Sequence, residues 1–294
     1  MLRTRFSLLF ALMLAMAATL IGVARAEVSA STEVLIIEQD YNIVQADKEL
    51  VGKDIRQKLY IAPDWVRIDE FGASDRVPTE TYLIDFKTET LVNLDHEKLI
   101  KVTETFTERR NRIEEKKKKT QKMLADLPNG PQKDKTESMY RGMLDDKAKY
   151  KVVQPGDKST ILKVECAKVE IPDSRLKDYT PMTVYVHPTQ ELPYDSAEVL
   201  YLLQLMGGKL KDFMAENKAI FRRIPMRLDL QLAAGGKLHT EVVNIEKKTL
   251  ADLEKQFPGI RAVPEQFKER PLDPRARPKT DTPPATPDGK VKPD

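Results

Sequence analysis

The sequence predicts an α+β protein in which helices cover one face of an antiparallel sheet. Three observations support this fold class: short segments in which apolar and polar residues alternate, a charged segment without Gly or Pro at 107–127, and an apolar helical pattern over 196–214. Parallel pairing requires long crossover connections, whereas the alternating segments here are joined by tight turns. The strands are therefore expected to pair antiparallel, with one sheet face towards water.

Composition excludes several classes of function but identifies none. The 294 residues are 40% hydrophobic and 32% charged, which is typical of a soluble protein with a sizeable core. One cysteine, Cys166, excludes an internal disulfide, a four-cysteine zinc site and an iron–sulfur cluster. A net charge of +3 gives no support for nucleic-acid binding. We found no catalytic constellation, and we predict no enzymatic activity, no cofactor and no metal site.

Residues 1–26 have the layout of a secretory signal peptide. Arg3 and Arg5 precede an apolar run at 6–23, and Ala24-Arg25-Ala26 places small residues at the cleavage site. An uncleaved membrane anchor is the alternative, since the run is nearly long enough to span a bilayer. With cleavage, the chain is exported to the periplasm or the extracellular space, keeps no membrane segment and has no cysteine for a lipid anchor. Cleavage also removes three of the 49 basic residues and leaves the mature chain neutral.

Strands are predicted in the first half of the mature chain wherever the alternation has a period of two. Ile55 and Leu59 alternate with polar residues before the Pro63-Asp64 turn. The predicted strands are 55–61, 66–69, 82–86, 91–94 and 99–102. Together they form a meander.

Residues 106–148 are predicted to be a charged helical insertion between two halves of the sheet. A first helix is expected over 107–127 and a second over 136–145. The strongest charge run in the chain is Lys116, Lys117, Lys118 and Lys119. This basic surface is either a solvated helix face or a contact for anionic lipid headgroups.

The second half is predicted to contain further strands and the most amphipathic helix. The strands are 150–154, 160–171, 182–186 and a hairpin of 226–232 with 238–245. Asp195 and Glu198 form a capping-box pattern at the start of helix 196–214, which Gly207-Gly208 is expected to kink or divide. His239 and Glu241 share one strand face, but no further metal ligands accompany them.

The apolar side of helix 196–214 has two interpretations. It either packs on the sheet as ordinary core, or it lines a cavity with apolar residues of the first strands. The candidate ligand-binding residues are Val66, Ile68, Tyr82, Ile84, Val199, Leu203, Met206 and Phe213.

Residues 265–294 are predicted to be a disordered, Pro-rich tail. Seven prolines lie between Pro271 and Pro293, and bulky apolar residues are almost missing. Such a segment cannot bury enough apolar surface to offset the entropy lost on ordering. A single domain over 27–264 remains.

Several short motifs resemble an uncharacterised family of exported bacterial proteins. They are 60–69 (YIAPDWVRID), 82–85 (YLID), 91–95 (LVNLD), 224–227 (IPMR), 238–246 (LHTEVVNIE) and, loosely, Phe257-Pro258. The strand 163–166 (KVEC) keeps a cysteine but lacks the Gly-aromatic pair usual in that family. The insertion 106–148 is also longer than expected.

The family is placed with the outer-membrane lipoprotein-carrier, or LolA-like, fold. The resemblance implies that the sheet curls into a half-barrel whose concave apolar face is covered by helices. It also implies a periplasmic protein that binds an acyl chain, a lipid or a lipidated partner. The alternative is a structural or protein-interaction module of the envelope whose core is filled by its own side chains. No catalytic residues carry over from the family, and the sequence leaves the oligomeric state open.

Overall fold

A computed structural model describes residues 32–44, 55–72, 76–140, 143–175, 182–194, 196–203, 207–231 and 237–272. The predicted signal peptide, most of the predicted tail and Met206 lie outside these ranges. Within them, the chain forms a curved, unclosed and mostly antiparallel sheet with a few helices. The predicted α+β fold class is confirmed.

The first half of the sheet is the predicted meander. Its strands are β2 (Ile55–Ile61), β3 (Trp65–Phe71), β4 (Glu80–Asp85), β5 (Thr90–Asp95) and β6 (Ile100–Thr105). Each strand pairs antiparallel with the next. Asp85 shows why the turns are tight, because its carboxylate accepts hydrogen bonds from the backbone N–H groups of Lys87 and Thr88.

The second half is another antiparallel meander. Its strands are β7 (Lys158–Ile161), β8 (Val164–Ile171), β9 (Met182–Glu191), β10 (Arg223–Gln231) and β11 (Lys237–Thr249). The prediction of one strand over 160–171 is wrong, because a two-residue turn divides β7 from β8. Leu162 and Lys163 have φ values of 50° and 63° there. Neither residue type is usual at positive φ, so the sequence carried no turn signal.

Strand β1 (Glu33–Val44) joins the two halves, and the sequence analysis did not predict it. It pairs antiparallel with β2 on one side and with β11 on the other. The sheet order is β12-β6-β5-β4-β3-β2-β1-β11-β10-β9-β8-β7. Strand β12 (Lys268–Glu269) pairs parallel with β6, and the described strands β7 and β12 form the two edges.

The predicted insertion consists of α1 (Phe106–Asp126) and α2 (Pro131–Tyr140). A capping box starts α1, in which Thr105 Oγ1 accepts from the Glu108 N–H and the Glu108 carboxylate accepts from the Thr105 N–H. The second helix begins five residues earlier than predicted, since Pro131 occupies its first position, where proline is favoured. Because β6 and β7 lie near opposite edges, these helices connect the two ends of the sheet.

Four further helices follow: α3 (Ser196–Leu202), α4 (Gly208–Glu216), α5 (Lys218–Phe221) and α6 (Leu250–Gln256). The predicted division of helix 196–214 at Gly207-Gly208 is confirmed. Helices α1, α3 and α4 pack on one sheet face, named here the inner face. They contribute Phe106, Ile113, Val199 and Met214 to the main core.

The C-terminal segment covers part of the opposite, outer face. Leu250 and Leu253 of α6 pack on Ile36 and Trp65, and Phe267 packs on Leu83 and Leu94. The predicted start of a disordered tail at residue 265 is therefore wrong, because 265–269 bury an aromatic ring and form β12. A single bulky residue, Phe267, buries enough apolar surface to hold 265–269 on the sheet. The average composition of 265–294 did not reveal this contribution.

Gly207 lies against a buried carboxylate that ties the insertion to α4. Asp145 is fully buried and accepts a 2.8 Å hydrogen bond from the Leu210 N–H in the first turn of α4. A Cβ atom on Gly207 would lie 2.2 Å from the Asp145 Cγ atom. Position 207 therefore has no room for a side chain, because the Asp145 carboxylate lies so close to its backbone.

We expect Gly207→Ala to lower the free energy of unfolding by about 1–3 kcal/mol, because the added methyl group displaces the cap. Urea denaturation measures this change. Gly208→Ala is the matched control, since a Cβ atom there meets nothing within 4 Å, and we expect its stability to be unchanged or higher. Equal denaturation midpoints for the two variants would contradict the steric argument.

Candidate functional site

Residues directly opposite each other on β1 to β5 form three rows on the inner face. On β1 to β4 two rows are apolar, apart from the hydroxyl of one tyrosine, and the third row contains only amides and carboxyls. The first row is Leu35, Ile61, Val66, Ile84 and Leu91, and the second is Ile37, Leu59, Ile68 and Tyr82. The third, named the polar row, is Gln39, Gln57, Glu70 and Glu80. On β5 the residue opposite Tyr82 is Asn93, and the residue opposite Glu80 is Asp95, which forms an ion pair with Lys98.

The structure brings seven of the eight predicted ligand-binding residues into one cluster. Val66, Ile68, Tyr82 and Ile84 lie in the two apolar rows, and Val199 and Leu203 face them from α3 and the residue after it. Phe213 of α4 packs at the margin of the same cluster. The eighth, Met206, is among the residues that the structure does not describe.

These side chains are closely packed in the described conformation. Val66, Ile68, Tyr82, Ile84, Val199 and Leu203 are each at most 6% exposed. Almost no part of these six residues is therefore accessible to water. Around these six residues the inner face is filled by protein side chains, and whether they also form a ligand site stays a prediction.

A buried arginine ties α1 to the end of α3. Arg109 Nε donates to the Leu202 carbonyl oxygen, and Arg109 Nη1 donates to Glu104 Oε1 at 2.8 Å. Arg112 also donates to Glu104 Oε1. Burial lowers the pKa of the Arg109 guanidinium, and the Glu104 carboxylate opposes this effect.

Two further polar contacts connect the same helices nearer the surface. Arg110 donates to Glu198 at 2.8 Å, and the Tyr201 hydroxyl donates to Glu114 at 2.7 Å. The helices over the inner face are therefore joined by a few specific polar contacts at their outer side. We name α1, α3 and α4 together the cover.

Side-chain hydrogen bonds connect the members of the polar row. Gln39 Nε2 donates to Gln57 Oε1 at 2.8 Å, and Gln57 Nε2 donates to Glu70 Oε1 at 2.6 Å. On the next strand the Tyr82 hydroxyl donates to Glu80 Oε2 at 2.6 Å. The sequence analysis included Tyr82 among the candidate ligand-binding residues but no member of the polar row, because Gln and Glu in alternating strands are usually solvent-facing.

The carboxyls of the polar row hold their protons more tightly than usual. Burial and the nearby Glu80 carboxylate raise the pKa of Glu70 from 4.5 to about 8, and the Gln57 hydrogen bond only partly opposes this. Burial also raises the pKa of Glu80. Glu70 is therefore mostly protonated at neutral pH.

The predicted basic surface is partly neutralised. Lys117 Nζ lies 2.5 Å from Asp146 Oδ1, and Lys119 Nζ lies 3.7 Å from Glu115 Oε2. Lys116 and Lys118 are exposed on α1. The run thus extends along a solvated helix face, and a contact with anionic headgroups stays a prediction.

A cavity on the outer face was missed by the sequence analysis. Its volume is about 360 Å³, and it lies where β3 begins and β4 ends, against α6 and the turn that follows. It is lined by Trp65, Val66, Leu83, Ile84, Asp85, Glu254, Gly259, Arg261 and Ala262. The Arg261 guanidinium lies 5.6 Å from the centre of the Trp65 ring. These residues are far apart in sequence, so no motif indicated the cavity.

His239 lies in a polar cluster on the outer face. Its Nδ1 atom is 2.6 Å from Asp229 Oδ1, and Arg227 donates to Glu241. Within the described ranges, no group of three or more His, Cys, Asp and Glu side chains is placed to hold a metal ion. Across the same ranges, every helix is too short or too polar to cross a membrane.

We expect the stability of the protein to depend on the protonation of Glu70. Folding raises its pKa, so the stabilisation from this proton is complete below pH 4.5 and is lost as the pH rises through about 8. Glu70→Gln should therefore raise the free energy of unfolding at pH 9, by a few kcal/mol. The gain should shrink towards pH 4.5, as measured by urea denaturation across this range.

Glu38→Gln serves as the control for this pH series. Glu38 lies on the outer face of β1 and pairs with Lys58 at 2.6 Å. We expect a small loss of stability and no gain that increases between pH 5 and pH 9. A parallel pH dependence for both variants would show that Glu70 does not hold the proton.

Comparison with solved structures gives several neighbours, two of which show the low identity of the match. One is an uncharacterized conserved protein from Thermus thermophilus, with a TM-score of 0.39 and 9% identity over 82% of this chain and 90% of that chain. The other is described as a domain of an outer membrane lipoprotein-sorting protein from Vibrio parahaemolyticus. Its TM-score is 0.30 and its identity 11%, over 76% of this chain and 90% of that chain. No family model and no curated protein match this chain, so the family resemblance stays a prediction.

Proposed function

We propose that this chain is a non-enzymatic, exported protein of the cell envelope. In this proposal, it holds an acyl chain, a lipid or the lipid of a lipidated partner against the inner face of its sheet. The observation that carries the proposal is the pair of apolar rows from Leu35 to Tyr82, which crosses strands β1 to β4 under a cover of helices. The first row also reaches β5 at Leu91. Adjoining apolar strands under a cover of this kind are suited to an extended hydrocarbon.

Binding requires the cover to move, because protein side chains fill the inner face in the described conformation. Helices α3 and α4 have seven and nine residues, and helices this short are held mainly by their packing. Gly207 directly precedes α4, whose first residue is Gly208, and Arg109 holds the end of α3 to α1. An acyl chain that replaces the packing of α3 and α4 on the rows therefore has few contacts to break.

A second candidate is favoured by the close packing itself. A structural or protein-interaction module of the envelope needs no cavity, and the most buried predicted lining residues are consistent with a permanently filled core. In this alternative the exposed face of α1 and the tail act on a protein partner. The two candidates differ in whether lipid enters the inner face.

Native mass spectrometry after detergent-free purification distinguishes the candidates. We expect a fraction of the protein to carry bound lipid. After incubation with dodecanol, we expect a larger fraction of the protein to carry a bound ligand. Nile red, a neutral apolar dye, provides a second measurement of uptake. Protein that stays free of lipid, dodecanol and dye under all conditions contradicts the carrier proposal and leaves the interaction module.

We expect Arg109→Met to accelerate Nile red uptake several-fold, because the variant loses the contact between α1 and the Leu202 carbonyl. Its free energy of unfolding should fall by about 1–3 kcal/mol. Arg112→Met is the matched control, since Arg112 also binds Glu104 but makes no bond to α3 in the described structure. Equal uptake rates in the two variants would show that Arg109 does not hold the cover closed.

A further inference from the structure

The exposed side of helix α1 carries lysines. Its buried side chains, from Phe106 to Leu124, recur at intervals of three, four or seven residues and therefore lie on one side of the helix. Lys118, Lys119 and Lys122 are exposed and follow one another at helical spacing on the opposite side. Because α1 is part of the cover, these lysines lie on the surface of the cover that faces away from the sheet.

These three lysines have little acidic company. Lys118 and Lys122 form no ion pair with any residue that the structure describes. Lys119 lies 3.7 Å from Glu115, but both side chains are largely exposed, and ion pairs of this kind contribute little. The positive charges on this side of α1 are therefore available to a partner.

A second lysine-rich segment, residues 146–151, begins against the same helix. The Asp146 carboxylate accepts hydrogen bonds from Lys117 Nζ at 2.5 Å and from Gln121 Nε2 at 3.0 Å. These two bonds hold the start of the segment beside α1. Three further lysines of the segment are exposed, namely Lys147, Lys149 and Lys151. The fold thus brings together two lysine-rich segments that are separate in sequence.

The combined surface is positive, although the charges of the whole chain are nearly balanced. Residues 114–126 and 146–151 contain eight lysines and four acidic residues, a net charge of +4, whereas the whole chain has 49 basic and 46 acidic residues. Two of the four acidic side chains are already engaged, since Glu114 accepts from the Tyr201 hydroxyl and Asp146 accepts from Lys117. We name four exposed lysines of these segments the basic patch: Lys118, Lys119, Lys122 and Lys147.

The residue types in this surface favour a lipid headgroup over a protein or a nucleic acid. Residues 114–126 contain five lysines but no arginine and no aromatic residue. Protein interfaces are enriched in arginine and aromatic residues and depleted in lysine, and proteins that bind single-stranded nucleic acid stack aromatic rings on the bases. A cluster of lysines alone offers mobile point charges, which complement the diffuse negative charge of an anionic bilayer surface.

We propose that the basic patch binds the surface of a membrane that contains anionic lipids. Bound in this way, α1 lies between the membrane and the inner face, because its opposite side contributes Phe106 and Ile113 to the main core. The part of the cover that must move for loading is then the part nearest to a source of lipid. Membrane binding by the patch goes beyond the proposed function and does not depend on it.

Sedimentation of the full chain with lipid vesicles tests this proposal. We expect tighter binding to vesicles of phosphatidylglycerol and phosphatidylcholine than to vesicles of phosphatidylcholine alone. This difference should disappear as the NaCl concentration rises from about 0.05 M to about 0.5 M, because salt screens exposed charges. Replacement of all four lysines of the basic patch by glutamine should lower the affinity for the anionic vesicles at least about tenfold. Glutamine preserves the helix propensity of lysine.

A second fourfold variant controls for net charge. It replaces four exposed lysines outside the patch: Lys87→Gln, Lys247→Gln, Lys255→Gln and Lys268→Gln. The change in charge is the same, but we expect the affinity for the anionic vesicles to change by less than about twofold, because the effect of a charge falls off within a Debye length. Residues 1–26 are identical in all three proteins, so this apolar segment contributes equally to each measurement.

Three outcomes would overturn the membrane-binding patch. They are equal binding to neutral and anionic vesicles, equal losses of affinity in the two fourfold variants, and no binding to anionic vesicles at low salt. The last outcome would leave an acidic protein as the partner of the patch. Uptake of Nile red tests the carrier function separately, so each proposal can fail without the other. Circular dichroism and urea denaturation confirm that both variants are folded.

Discussion

The backbone pairing of β1 with both β2 and β11 is the contact on which the rest of the structure depends. The two meanders are otherwise separate in sequence, with β2 to β6 on one side of the insertion and β7 to β11 on the other. Strand β1 also has both faces buried, since Ile37 enters the main core and Ile36 packs under α6. One strand thus makes the inner face continuous and anchors the C-terminal segment on the outer face.

Buried carboxyls on the inner face have two different kinds of surroundings. At one margin, Glu104 is neutralised within the protein by two arginines, and this site also holds the helices together. At the other margin, Glu70 and Glu80 face each other, and the described residues supply hydrogen bonds but no ion pair. In the first arrangement two arginines neutralise the carboxylate, whereas in the second burial favours the protonated form of Glu70.

The alternation of apolar and polar residues predicted the strands in which one face is buried. It did not predict the strand in which both faces are buried. Residues 34–37 are four consecutive apolar residues because both faces of β1 are covered, so they show no period of two. The turn at Leu162 and Lys163 lacks the residue types that favour positive φ. The apolar part of the candidate site was predictable because Val66 and Val199 follow regular periods. The polar row was not, since only the register places Gln39, Gln57 and Glu70 side by side.

Asp145 makes the insertion and the cover thermodynamically dependent on each other. The residue follows α2 in the chain, yet it caps the first turn of α4, and its close contact with Gly207 allows little adjustment. Movement of α4 away from the sheet either breaks this cap or carries the end of the insertion with it. Under the proposed function, a partner bound to the insertion would change the affinity of the inner face for its ligand, and by linkage the ligand would change the affinity for the partner by the same factor. Under that proposal, the insertion is the part of the chain through which a partner would act on loading and release of the inner face.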